Sequence, residues 1–377
     1  MRALARLGFA AGVAVAFSAA FAGTADAAPG QDGGARVVFV QTDNIAGNQV
    51  VAYDRGGNGS LSLAHTYDTG GVGAILAGSA VDHLASQGSL AFDAEHDLLY
   101  AVNAGSNTVS VFSVRGDDLA LRQVVSSGGT FPVSVAVSGD LVYVLNALDG
   151  GSIQGYVASF GHLHLVPAWN RPLGLDPTET PQFTSTPGQV LFSPDGSQLL
   201  VTTKNNGNAI DVFHIAPFGR PSNDPVVNVE AGVVPFAATF VDERHLLVTE
   251  AGPSDVASFT LHGDGTLTPG TSVGTTQAAT CWITPGADGI FYTSNAGSAS
   301  LSTIELTEHG QLALAAQTTT DAGTVDASVS SDGRFLYAQT GGTGTVDEFR
   351  IHGDGSLSPI GSVLVAGAVG GEGIVAL

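Results

Sequence analysis

One unit recurs along this 377-residue chain. It consists of an apolar strand, an Asp/Gly turn, a second apolar strand, an Asn/Gly loop, a third alternating strand, a turn, and a short strand of the form G-x-L-x-x. Copies include "GSLAFDAEHDLLYAVNAGSNTVSVFSVRGDDLAL", "QVLFSPDGSQLLVTTKNNGNAIDVFHI", "CWITPGADGIFYTSNAGSASLSTIELTEHGQLAL" and "ASVSSDGRFLYAQTGGTGTVDEFRIHGDGSLSPI". The leucine after the last turn marks the period, at Leu61, Leu119, Leu163, Leu267, Leu312 and Leu357. The gaps are 58, 44, 104, 45 and 45 residues, and the longest holds two units. Its missing marker falls near "GRPSNDPVVNVEAG", where a proline-rich turn replaces G-x-L. That makes seven units. Four short strands repeated every 40 to 50 residues specify a β-propeller, in which each unit is one blade.

Local signals agree. "NTVSVFSV" alternates between two faces as a strand must. "SPDGSQ", "GADG", "SSDGR" and "HGDGS" are hairpin turns. No sustained helical period occurs outside the first residues. The expected fold is therefore all-β, a single seven-bladed propeller with four-stranded blades. The first unit opens on "RVVFVQTDN", which reads as a second strand, and the chain finishes on "GGEGIVAL", which reads as a lone first strand. Gly371–Leu377 is thus expected beside Val37–Val40, closing the ring and covering two open edges.

The N-terminus carries Arg2 and Arg6, an apolar stretch from Leu7 to about Ala22, and Ala25-Asp26-Ala27 as a small-x-small cleavage pattern. This reads as a signal peptide over residues 1–27. A flexible segment (28–35) and the propeller (36–377) follow. The protein is expected to be secreted or extracytoplasmic, a monomer, and not held in a membrane. The formal net charge of −22 repels polyanions, which excludes nucleic-acid partners and disfavours strongly phosphorylated substrates. Cys281, the only cysteine, allows no internal disulfide, and its apolar context "AATCWITPG" reads as a buried thiol. The histidines are scattered without ligand spacing, so no metal and no cofactor are expected.

The pieces "LLYAVNAGSNTVSVFSV" and "IFYTSNAGSASLSTIEL" resemble YVTN-type propeller repeats. With "SPDGSQLLVTTKNNGNAIDVF" and "LLVTEAG", the chain from residue 36 onward resembles the seven-bladed lactonase family, which includes 6-phosphogluconolactonase-like and carboxymuconate-cyclising proteins. The resemblance implies a hydrolase of a small lactone or sugar lactone. It also implies histidine and arginine around a central funnel, which this chain lacks: "TETPQFTSTPGQVLFSPDG" has no histidine, and Arg220, Arg244, Arg334 and Arg350 fall in or beside turns of the opposite face.

Topology places the candidate site. The tight turns join strands A–B and C–D and share a lower face, so the longer B–C and D–A loops share the upper one, around the channel mouth. Variable loops on a rigid scaffold carry function. Lactone hydrolysis needs a base for water and a donor for the oxyanion. The catalytic candidates are Glu250, or else His83 or Asp326, as base, and Lys204, the only lysine, as oxyanion donor or as the holder of a substrate carboxylate. Lys204 and Glu250 hold equivalent positions in adjacent blades and are expected to face each other or to cap strand ends as a solvated pair. Substrate-binding candidates are Gln87, Ser89, Asn103, Asn146, Gln189, Asn205, Trp282, Asn295 and Asp326. The asparagines also suit ordinary turns, and Trp282 also suits a channel plug. The long loop "DTGGVGAILAGSAVDHLASQGS" reads as a lid or a passive insertion. The alternative function is a non-catalytic propeller that binds a small molecule or a protein through its upper face.

Overall fold

The computed structural model describes residues 36–377. The signal-peptide and lead-in segments read from the sequence, 1–27 and 28–35, lie outside the described residues. The rest forms seven antiparallel sheets. Six contain four strands, and the third adds the two-residue strand Arg171–Pro172. Blade 2 shows the plan: strand A is Leu90–Asp93, B is Leu98–Asn103, C is Thr108–Arg115 and D is Asp118–Ser126. The proline-rich unit without a leucine marker is a full blade too, its outer strand being Val226–Val229.

Blade 1 closes as its sequence requires. Ile374–Ala376 pairs antiparallel with Val37–Gln41, in the register Val38 to Ala376 and Val40 to Ile374. The amide of Gln41 donates to the Gly373 carbonyl at 2.8 Å, and that of Leu377 to Val37 at 2.9 Å. The last strand thereby satisfies backbone groups that an open edge would expose.

The period of two explains how the blades hold together. Val37 and Phe39 pack into the layer shared with blade 2, whereas Val38 and Val40 pack into the layer shared with blade 7. Each strand thus serves two cores, and burying each such side chain contributes about 1.5–3 kcal/mol. A polar latch recurs between blades. Tyr143, Tyr292 and Tyr337 donate their hydroxyls to the carbonyls of Gly219, Gly355 and Gly59 in the C–D turn of the next blade. The last of these links blade 7 to blade 1 across the closure.

Candidate functional site

The 21-residue connection from blade 1 to blade 2 (69–89) forms a plug-like loop bonded to several blades. The Asp82 carboxylate accepts the amides of Leu84 at 2.8 Å and Ser86 at 2.9 Å, which folds "VDHLAS" into a tight turn. The turn then reaches across the axis. The side-chain amide of Gln87 makes both bonds to the Ile283 backbone of blade 6, each at 2.9 Å. Trp282 Nε1 donates to the Ser86 carbonyl at 2.6 Å. The Gln87 amide donates to Gly188 ahead of blade 4, and the His83 amide to Gly370 ahead of the closing strand. Ser86 Oγ and Ser134 Oγ add links to blade 3. A flexible lid would not be bonded on so many sides. The loop is therefore a fixed part of the scaffold, and two cavities lie beside it.

Lys204 ties the plug to a second loop. The B strand of blade 4 ends at Thr202, and after Thr203 Lys204 opens a one-turn helix with a left-handed φ of 50°. The side chain is thereby directed inward and is 1 % exposed. Its Nζ donates to the carbonyls of Ala85 at 2.6 Å and Phe183 at 2.7 Å, and to Thr186 Oγ1 at 3.2 Å. It also lies 5.3 Å from the centre of the Phe236 ring. Burial lowers its pKa, while the nearby Asp82 charge opposes that shift. Three acceptors match the three N–H groups of an ammonium, so Lys204 is a protonated staple between loop 69–89 and the loop that carries Phe183. The expected partnership with Glu250 is not formed. Lys204 is neither paired with that residue nor solvated, because the two inserted loops enclose it.

A two-lobed cleft opens between these loops and blades 5 and 6. The first lobe, about 260 Å³, is lined by Gly78 to Asp82, Trp282, Ala296 and Gly297. The second, about 410 Å³, is lined by Thr184, Lys204, Asn205, Val234, Ala251 and Gly252. Phe183, Phe236, Ala279 and Cys281 line both, forming a shared waist. The Phe236 and Trp282 rings meet at 4.9 Å between centroids. Asp82 is buried in this wall. Burial raises its carboxyl pKa to about 6, against the pull of three backbone amides and Lys204. Burial likewise raises the Cys281 thiol to about 12, which leaves it an inert wall group.

Three further carboxyls, each within electrostatic reach of Asp82, are buried nearby. Asp43 is raised to about 8 and Asp326 to about 7, and Glu372 is also raised, in each case chiefly by burial. Glu372 accepts the Gly88 amide at 3.0 Å and Asp43 accepts the Glu372 amide at 2.8 Å, so these carboxyls brace the closing segment against the plug. Asp326 accepts the Ala327 amide. Among the described residues, no three His, Cys, Asp or Glu side chains are arranged to hold a metal, and no helix is long and apolar enough to cross a membrane.

The geometry has close counterparts among solved structures. A Lactobacillus plantarum protein is 21% identical, with 90% of this chain and 98% of that one aligned at a TM-score of 0.72. A periplasmic gluconolactonase from Pseudomonas aeruginosa is 18% identical over 90% and 98% of the two chains, also at 0.72. A candidate 6-phosphogluconolactonase from Bacteroides fragilis is 18% identical over 92% and 99%, at 0.70. This is the fold of the lactonase propellers. No protein-family model and no curated protein matches the sequence.

Within the lactonase-propeller frame the sequence candidates divide. Lys204, Asn205 and Trp282 line the cleft. Glu250 sits beside it, at the turn before Ala251. It pairs across that turn with Asp255, and burial plus the Asp255 carboxyl push it up to about 8. His83 packs against Gly370, where a Cβ would collide with its ring. Burial lowers the pKa of this imidazole, and its Nδ1 has no partner. Gln87 belongs to the plug, and Ser89 bonds the Glu372 carbonyl. Gln189 accepts the Ala238 amide at 2.7 Å. Asn103, Asn146 and Asn295 end the B strands of blades 2, 3 and 6 and are fully buried. Asn103 bonds Asn48, Thr69, Thr108 and Ser110, and Asn295 bonds Thr280, Ser300 and Ser302. Asn146 donates to the Ser127 carbonyl. These amides seal adjacent strands rather than face a ligand. Asp82, Phe183 and Phe236 were missed by sequence reasoning. The signal for Asp82 was its isolation, since it is the only acidic residue between Asp68 and Asp93.

Proposed function

We propose that the protein is a lactonase-like hydrolase, exported from the cytoplasm, that opens a small lactone in the upper-face cleft. One observation carries this reading: in a lactonase-propeller fold, Asp82 lines a largely apolar cleft, and burial raises its carboxyl pKa to about 6. A base poised near neutrality can take a proton from water without being permanently protonated or fully solvated. In the proposed reaction Asp82 removes a proton from a water molecule as the water oxygen attacks the lactone carbonyl. The ring C–O bond then breaks, and Asp82 returns the proton to the leaving alkoxide. The products are one hydroxy acid and the original carboxylate. The Lys204 ammonium, on the wall of the same cleft, supplies a positive field as charge develops on the carbonyl oxygen. Trp282 and Phe236 exclude bulk water and flank the ring. Hydrolysis followed by pH-stat, with Asp82→Asn as the variant, tests this reading.

A second reading is a binding propeller without turnover. It is favoured by Lys204, whose Nζ is already bonded to three protein acceptors. Saturable binding of a lactone with no acid release would establish it.

A further inference from the structure

We infer that the cleft selects an uncharged lactone bearing a hydrocarbon substituent, with the ring in the Asp82–Trp282 lobe and the hydrocarbon in the lobe beyond Phe236. This rests on the lactonase reading and specifies its substrate class.

The inference comes from how the polar groups around Asp82 and Trp282 are already engaged. Trp282 Nε1 is bonded to Ser86. Ser79 Oγ is bonded to the Asp82 carbonyl. Lys204 is bonded to Ala85, Phe183 and Thr186. The rest of the first lobe's lining is mainly hydrocarbon, from Val81, Phe183, Phe236, Ala279 and Trp282, with Asp82 its one carboxylic acid and Cys281 its one thiol. A polyhydroxylated sugar lactone would bury several hydroxyls without partners, and each unpaired one costs about 1–3 kcal/mol. A lactone ring alone has few polar atoms to satisfy.

The second lobe gives the substituent its place. It shares Phe183, Phe236, Ala279 and Cys281 with the first lobe and is further lined by Val234, Ala251 and Gly252, with Thr184, Lys204 and Asn205 as its polar members. Its volume of about 410 Å³ exceeds that of the first lobe, about 260 Å³, so an unsubstituted ring would leave most of the cleft empty. Filling it with hydrocarbon contributes about 0.8 kcal/mol for each methylene removed from water. Charge sets the other limit. Glu250 and Asp255 lie at the turn bordering this lobe, with Glu230 close enough to raise the Glu250 pKa, and the only lysine is spent. The formal net charge of −22 repels a phosphate or carboxylate on the substrate, and Lys204, the one cation on the wall, is already bonded to three protein acceptors.

The test compares δ-decalactone, δ-valerolactone and glucono-δ-lactone with the purified protein, by pH-stat for turnover and calorimetry for binding. The expected kcat/KM for δ-decalactone is at least about tenfold above the other two, from the methylene contribution. Ala251→Phe, which fills the second lobe, should reduce that preference at least about tenfold. Phe183→Ala, which widens the waist, provides an independent change in the same ratio should the bulkier variant fail to fold. Equal turnover of all three lactones, or a preference for glucono-δ-lactone, overturns the substrate class and leaves the hydrolase reading standing. Tight binding of δ-decalactone without turnover overturns the hydrolase reading and supports the ligand class. Absence of both binding and turnover overturns the two together.

Discussion

The Nζ of Lys204 donates to the carbonyl of Ala85 at 2.6 Å, across 119 residues of chain. Through this bond and the one to Phe183, two long loops that share no sheet become the walls of one cleft. Lys204→Met would leave the Ala85 and Phe183 carbonyls and Thr186 Oγ1 without this donor, at a cost of about 2–4 kcal/mol. Chemical denaturation should show that loss, and amine-reactive labelling offers a sharper readout. Since the chain has one lysine, native protein should be labelled only at its N-terminus, and Lys204 only after unfolding. Rapid labelling of Lys204 in native protein would contradict the staple.

Cys281 should behave in parallel. Its thiol is buried in the cleft wall and raised to about 12 by burial. A disulfide reagent should therefore react with it at least about a hundredfold more slowly in native than in unfolded protein. Ligand in the cleft should slow the reaction further. Stoichiometric native reaction within seconds would place the thiol in solvent.

Much of this architecture was legible in the sequence, and the limits have physical causes. The seven units, their turns and the closing strand followed from periodicity, because a propeller imposes the same in-out alternation on every blade. The closing register follows because both segments are largely apolar, and Val37–Gln41, paired on one side with Gln49–Arg55, has its other edge left for Ile374–Ala376. The site was harder to read. Lys204 and Glu250 do hold equivalent positions in adjacent blades, but equivalence fixes only where a backbone ends. Loops inserted elsewhere, at 69–89 and around Phe183, decide where the lysine points. Asn103 and Asn295 resemble turn asparagines in sequence, yet each bonds several neighbouring side chains from a buried strand end. Asp82 lies in a glycine- and alanine-rich loop without periodicity, so no pattern could place it in the cleft lining.

The pH dependence of stability follows from the buried acidic groups. Folding raises the pKa of Asp43, Asp82 and Asp326 to about 8, 6 and 7, and raises Glu372 as well. Between about pH 4 and pH 8 the folded chain therefore holds protons that the unfolded chain has released. Stability from these groups is complete below about pH 4 and is lost as the pH rises through their folded values. Lys204, lowered to about 7, acts in the opposite sense, but only above about pH 7. Thermal unfolding should give a higher Tm near pH 5 than near pH 8, and Asp43→Asn with Glu372→Gln should flatten the difference. A Tm that rises steadily from pH 5 to pH 8 would contradict this assignment.

Deletion of Gly371–Leu377 removes the inner strand of blade 1 together with Glu372, which holds the plug at Gly88. The truncated chain should lose its cooperative thermal transition and elute as aggregate on gel filtration, since Val37–Gln41 becomes an open apolar edge. Adding the missing segment back as a peptide should restore part of the transition. A truncated chain that melts like the full protein would show that closure contributes little.

The most direct test of the proposed function is the pH–rate profile for hydrolysis of an alkyl-substituted δ-lactone by the full protein and by Asp82→Asn. The expected result is a wild-type rate that rises through about pH 6 as Asp82 ionises, and a loss of at least about a hundredfold in the variant. Turnover in Asp82→Asn equal to wild type, or no turnover of any lactone by wild type, would contradict the assignment of Asp82 as the base of a lactone hydrolase.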